Sequence, residues 1–121
     1  MANLSKADLN WANLAGADLR QVDLSMTNLF EAHLQRANLN EANLSHTNLT
    51  RADLGKTDML EATMVEANLS RASLSKAIMI RANLNGSNLT RADMSKTNLA
   101  SANLSGADLS LANLFDANLN G

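Results

Sequence analysis

The chain has no cysteine and no proline in 121 residues, only five glycines, and rings confined to Trp11, Phe30 and Phe115. Without cysteine there are no disulfides, no thiolate nucleophile and no thiolate metal ligand, and the redox compartment stays open. The lack of proline suits a backbone whose N–H groups are mostly committed to pairing. So few rings exclude an aromatic core and leave little on which nucleic-acid bases stack. No apolar run approaches the roughly 20 residues of a membrane span. No basic-then-apolar leader precedes the first ordered segment. On these grounds the chain reads as soluble, cytoplasmic by default, and without a membrane partner.

What is present is a five-residue period. Twenty-four consecutive pentapeptides of the form Ala-(Asn/Asp)-Leu-X-X run from Ala2 to Gly121 without insertion or deletion. The central position is held by Leu4, Leu9, Leu14, Leu19, Leu24, Leu29, Leu34, Leu39, Leu44, Leu49, Leu54, Met59, Met64, Leu69, Leu74, Met79, Leu84, Leu89, Met94, Leu99, Leu104, Leu109, Leu114 and Leu119. Two residues earlier is a small position, alanine except at Val22, Thr27, Thr47, Thr57, Ser87 and Thr97. Between them lies a polar position, Asn or Asp except at His33, Thr63, Ser73 and Ile78. Two variable positions close each repeat.

Neither ordinary element accommodates this period. Five steps along an α-helix turn the chain by about 140° beyond a full circle, scattering the central residues around the cylinder. In a flat strand, leucines five apart alternate between faces. A backbone that bends once per repeat instead points every central and small residue toward one axis. Stacked bends form an all-β solenoid whose coils pair at about 4.7–4.9 Å. Its core is the column of central residues, each worth roughly 1.5–3 kcal/mol when fully buried.

The runs Ala12-Asn13-Leu14, Ala37-Asn38-Leu39, Ala42-Asn43-Leu44 and Ala67-Asn68-Leu69 resemble those of the pentapeptide-repeat proteins. The likeness covers residues 2–121 as a single domain. It implies a right-handed quadrilateral parallel β-helix of four repeats per coil, and so six coils, a rod on the order of 30 Å long at one strand spacing each. The residues alone leave the coil size open. A 20-residue coil sets no aspartate on another, whereas 15 would place Asp8 against Asp23 and Asp93 against Asp108. Yet Arg51, Arg71 and Arg91 stack at 20, as do Lys56, Lys76 and Lys96. Family members commonly carry a terminal helix, a kink or a protruding loop. Their absence from this sequence reads as an excised or consensus-style synthetic array.

Candidate chemistry is sparse. In a 20-residue register His33, Asp53 and Ser73 share a column, but a hydrolase triad needs the imidazole between hydroxyl and carboxylate, and here Asp53 is in the middle. Met26, His46 and Glu66 give too few ligands for a metal cage. The polar position reads as structural, because an outward Asn or Asp bonds local backbone and its counterpart in the next coil. The expectation is no enzyme, no cofactor, no metal and no small-molecule substrate.

The variable positions are more informative. One corner column runs Trp11, Glu31, Arg51, Arg71, Arg91, Leu111, and the next Gly16, Arg36, Lys56, Lys76, Lys96, Asp116. They gather most of the basic residues on one face, with Arg51, Lys56, Arg71 and Lys76 as candidate contacts for an anionic partner. Leu60, Ile78 and Ile80, with Val65 around the corner, form an outward apolar group. Trp11, Phe30, Leu111 and Phe115 are expected to shield the terminal coils. Some family members inhibit type II topoisomerases as acidic DNA mimics, a pattern from which this near-neutral chain (net charge −2) departs. The reading is therefore a non-catalytic structural scaffold, consensus-like or engineered. A protein-interaction module is the alternative, and a topoisomerase-directed DNA mimic the third. No specific nucleic-acid partner is expected. End-to-end self-association through the terminal coils is, because their strand edges are templates for pairing.

Overall fold

The computed structural model describes residues 2–121. Its organisation follows from where the five amides of each repeat go. In the repeat Ala42–His46, Asn43 N–H donates to Val22 C=O one coil back (3.0 Å). The amides of Leu44 and His46 donate one coil forward, to Thr63 C=O (2.6 Å) and Val65 C=O (2.9 Å). Ala42 N–H closes the preceding bend on Leu39 C=O (3.0 Å). The fifth amide, Ser45 N–H, donates to the side-chain Oδ1 of Asn43 (3.1 Å). No backbone donor of that repeat is left over, the condition a buried or half-buried backbone must meet.

Every polar-position residue from Asn3 to Asn98 forms a single-residue parallel bridge to the residue 20 places later. Four pentapeptides therefore complete one turn of a parallel β-solenoid. The bends between bridges are type II turns, closed from alanine N–H to the central residue's C=O, with positive φ at the third residue. That third residue is the second variable position, and its φ lies between 53° and 62° wherever it is not glycine. Left-handed backbone is disfavoured for residues with a Cβ. Yet Trp11, Met26, Glu41, Arg71 and Leu111 all adopt it, and glycine occurs there only at Gly16, Gly86, Gly106 and Gly121. From Lys6 to Ser101 the amide of this residue is held by the next coil, as His46 is by Val65. Closure of the turn sets the same conformation at Leu111 and Asp116, which have no following coil.

Inside, the central residues from Leu24 to Leu99 and the small residues beside them form one continuous apolar column at 0–3% exposure. Threonine enters the small position because its hydroxyl has an acceptor there. Thr27, Thr47 and Thr97 donate to the carbonyls of Leu4, Leu24 and Leu74, and Thr57 to that of Leu54. Ser87 is the exception: its buried Oγ has no partner among the described residues, an omission costing on the order of 1–3 kcal/mol.

The terminal turns depart from the uniform core expected of them. Leu4, Leu9, Leu14, Leu19, Leu104, Leu109 and Leu114 are only partly buried, and Leu119 is 51% exposed. Each lacks a neighbouring coil on one side. The expected aromatic shield is also absent: Trp11, Leu111 and Phe115 are 63%, 77% and 65% exposed. Their corner positions turn them outward from the wall, not over the end of the column. Trp11 packs edge-on against Phe30 at 6.4 Å and donates to Glu31.

This packing distinguishes neighbours in sequence. Leu69→Asp places an unpaired charge between stacked leucines and is expected to unfold or split the array. Ser70→Asp, one residue on and half exposed, should change stability by less than about 0.5 kcal/mol. Thermal melts of the two variants are the check, and equal melting temperatures would refute the inward assignment of Leu69.

Candidate interaction surface

The outer surface begins with the polar column. Its Oδ1 atoms accept from the amide two residues on, as Asn3 does from Ser5 and Asn68 from Ser70. Many asparagines also donate Nδ2 one coil back, as in Asn28 to Asp8, Asn48 to Asn28 and Asn118 to Asn98. An aspartate fills the same role by accepting from both sides. The Ser25 amide and hydroxyl hold the Asp23 carboxyl below its ordinary range, with a lesser contribution from Asn43. Ser110 does the same for Asp108, and Arg20 for Asp18 through a two-pronged contact.

Where the polar position is not Asn or Asp, the amide it would serve goes without. Gln35, Val65, Ser75 and Ile80 follow His33, Thr63, Ser73 and Ile78, and none of the four has a hydrogen-bond acceptor for its N–H among the described residues. These amides were not among the sites anticipated from sequence. The signal was present in the four substitutions of the polar column, but it points to a site only once the first variable amide is known to depend on that column.

Two histidines occupy the outer surface. Asp53 bridges to both His33 and Ser73, but its oxygens accept from Gly55 N–H and the Gln35 side-chain Nε2. His46 Nδ1 lies 3.4 Å from Glu66 Oε2, both exposed.

On the basic face, Arg51 pairs with Glu31 at 2.9 Å, which with the Trp11 indole lowers the Glu31 carboxyl. Lys56, Arg71 and Lys76 are exposed and have no carboxylate within ion-pair distance among the described residues. Lys56 and Lys76 stack one coil apart, with Arg71 in the adjacent corner column. The apolar group is weaker as a surface: Ile78 is 40% exposed, while Leu60, Val65 and Ile80 are half-buried. Among the described residues, no helix is long and apolar enough to cross a membrane.

Comparison with known proteins follows the same geometry. The sequence profile of pentapeptide repeats matches in eight copies over residues 2–29, 27–64, 61–91 and 92–121. The chain belongs to the pentapeptide-repeat family. A pentapeptide-repeat protein from the Arabidopsis thaliana thylakoid lumen is 31% identical with a TM-score of 0.81, over 84% of this chain and 71% of its own. HetL, a pentapeptide-repeat protein of Nostoc involved in regulating heterocyst differentiation, is 31% identical with a TM-score of 0.52, over 97% and 74%. QnrB1, a plasmid-mediated fluoroquinolone resistance protein, has a TM-score of 0.52 over 98% and 76%, but at 15% identity the likeness is one of fold. No curated protein sequence matches the chain significantly. Pentapeptide-repeat proteins are in general non-catalytic structural repeats.

The lowered carboxylates give stability a pH dependence with a definite sign. Asp18, Asp23, Asp108 and Glu31 have folded-state pKa values below their ordinary ones. Their stabilising contribution is complete above the unfolded values, about 3.9 for Asp and 4.3 for Glu. It is lost as pH falls through the lower, folded values. The melting temperature should hold from pH 7 to about 5, then fall. Asp23→Asn, which keeps the acceptor without the proton, should flatten the acid limb measurably. An unchanged slope would show that Asp23 titrates alike in both states.

Proposed function

We propose that this pentapeptide-repeat chain is a structural scaffold without catalytic activity: a right-handed quadrilateral β-helix of six coils that holds its outer columns in fixed register. The observation that supports it most is the unbroken 20-residue bridge register from Asn3 to Asn118. With nearly all interior amides of the described residues committed, the rod's outer residues sit on a regular lattice of about 4.8 Å pitch. Its regularity is that of a consensus-like array. The test is modularity. Inserting a second copy of residues 42–61 should give a folded rod about 4.8 Å longer by solution scattering, with no lower melting temperature. A destabilised or kinked product would count against a simple additive scaffold.

A second reading, an interaction module, has its own support in the unpaired cations of the basic face. Binding there is to polyanions, weak and without sequence preference, because it arises from counterion release. Changing Arg51, Lys56, Arg71 and Lys76 together to Gln should abolish retention on an anionic matrix at low salt while leaving the melt intact. Retention that survived both the variant and moderate salt would refute it. Leu60, Ile78 and Ile80 belong to the same reading as a small apolar contact, no larger than an ordinary monomer surface carries. DNA mimicry toward a type II topoisomerase is the weakest reading, since the unpaired charges on the most strongly charged face are positive.

A second copy of the chain is the partner we propose for the terminal turns. Among the described residues the Leu104 and Gly106 amides at one end and the Asn3 and Ser5 carbonyls at the other have no partners, and they are the groups that adjoining coils pair. Head-to-tail stacking continues the ladder and does not close. Light scattering of residues 1–121 over a broad concentration series should show mass rising with concentration, and a strictly monomeric rod at millimolar levels would overturn it.

A further inference from the structure

The two ends of the rod are ramps. Bridges between residues 20 apart make the solenoid climb by one strand spacing per turn. Each end therefore carries a single step, where the first or last turn begins. Four repeats per turn divide the 24 repeats into whole turns, so the two steps lie at the same corner.

We infer that a second copy docks in one rotational register of four, its residues 2–21 continuing the columns of residues 102–121, a reading that rests on the end-to-end association proposed above. Only there do the steps coincide and all four faces pair. Leu104 and Gly106 N–H then donate to Asn3 and Ser5 C=O of the next copy, and Asn3 N–H of that copy to Ala102 C=O. Inside the rod Leu84, Gly86 and Asn103 N–H make the same three bonds. A quarter-turn error leaves at least one face without its three. Met1 lies outside the described residues, and the corner it would share with Gly121 takes no part in the contact.

Three columns of side chains favour this register. Leu111 comes to lie one coil from Trp11, both more than half exposed on the free rod, where Trp11 already packs on Phe30. Phe115, 65% exposed, meets Ala15 at the end of a groove of about 570 Å³ that is also lined by Gln35, Gly55 and Lys56. Asp116 faces Gly16, where the missing side chain leaves open space. The next residue along that corner is Arg36, which has no carboxylate within ion-pair distance among the described residues. Backbones two coils apart are separated by roughly 9.5 Å, a gap that arginine and aspartate side chains close from its two ends.

One column opposes it. Asp8, Asn28, Asn48, Asn68, Asn88 and Asp108 stack with carboxylates only at the two ends. Among the described residues no aspartate bridges another, and Asn28 and Asn48 donate Nδ2 one coil back. At the junction Asp8 has no N–H to give Asp108, and like charges meet. In the other three registers Asp8 faces Asn103, Asn113 or Asn118. Both aspartates are exposed, and an exposed like pair costs less than three backbone bonds. The register therefore holds, and Asp8 limits its strength.

The experiment compares the 121-residue chain with its Asp8→Asn variant by sedimentation over a broad concentration range at pH 7. Asparagine there restores the pairing in which Asn113 donates to Asp93, and association should tighten roughly tenfold. Asp58→Asn makes the same change of net charge at mid-rod and should leave association as it was. The chain has no cysteine, so oxidation also reads the register. Corners one coil apart set Cα atoms about 4.8 Å from each other, within disulfide range. Trp11→Cys with Leu111→Cys should give a ladder of linked chains on a non-reducing gel. Lys6→Cys or Gly16→Cys in place of Trp11→Cys should link at least about tenfold less. Mass that rises with concentration while Asp8→Asn changes nothing, or equal linking by all three pairs, would overturn the register and leave association through the ends intact. Mass that stays at one chain for both the parent and Asp8→Asn would refute the association itself, and the register with it.

Discussion

The whole architecture depends on a constraint that side chains do not set: each coil must meet the next with its backbone donors and acceptors in register. One amide per repeat reaches back a coil, two reach forward, and one closes the corner. The geometry leaves a single donor unserved, at the first variable position. The Asn or Asp at the polar position exists to serve it, and this accounts for that residue more fully than any role in chemistry. The leucine column supplies most of the free energy of burial, but leucines alone would tolerate many registers. The hydrogen-bond ladder permits one.

The second consequence of the same ladder is the corner. Twenty non-glycine residues hold positive φ, a conformation in which Asn and Asp are enriched elsewhere. At this position the chain has no asparagine and a single aspartate, Asp116. Local preference has been overridden by closure of the turn and, up to Ser101, by the bond to the next coil, so the column is free to carry Lys, Arg, Glu or Trp. That freedom lets one wall become basic without disturbing the core, as expected of a fold whose surface variation is decoupled from its packing.

Much of this was legible in the residues. The period excluded helix and flat sheet, and Leu, Ala and Asn/Asp announced their roles by recurrence alone. The 20-residue register was not, because stacked arginines and lysines argue against it on charge grounds, and long side chains splay where backbone cannot. The left-handed corners were hidden for a different reason: four of the five glycines stand at them, but the other twenty corners carry side chains. The exposed orientation of Trp11 and Phe115 was also hidden, since it depends on the direction of a corner and not on hydrophobicity. At the surface, the cations were visible as columns. The groove beside Gly55 was not, because its lining residues come together only through the 20-residue register.

The constant separation of 20 residues between bridge partners also shapes how the chain reaches its fold. Each added coil closes a loop of the same length, so the entropic cost of closure is uniform along the rod. Only the first coil to form has no template. Ordering it fixes 20 residues before any ladder bond offsets the loss, and every later coil docks on a finished edge. Assembly is then a nucleation event followed by growth in both directions. Because neighbouring coils are so nearly alike, no sequence feature confines the nucleus to one place.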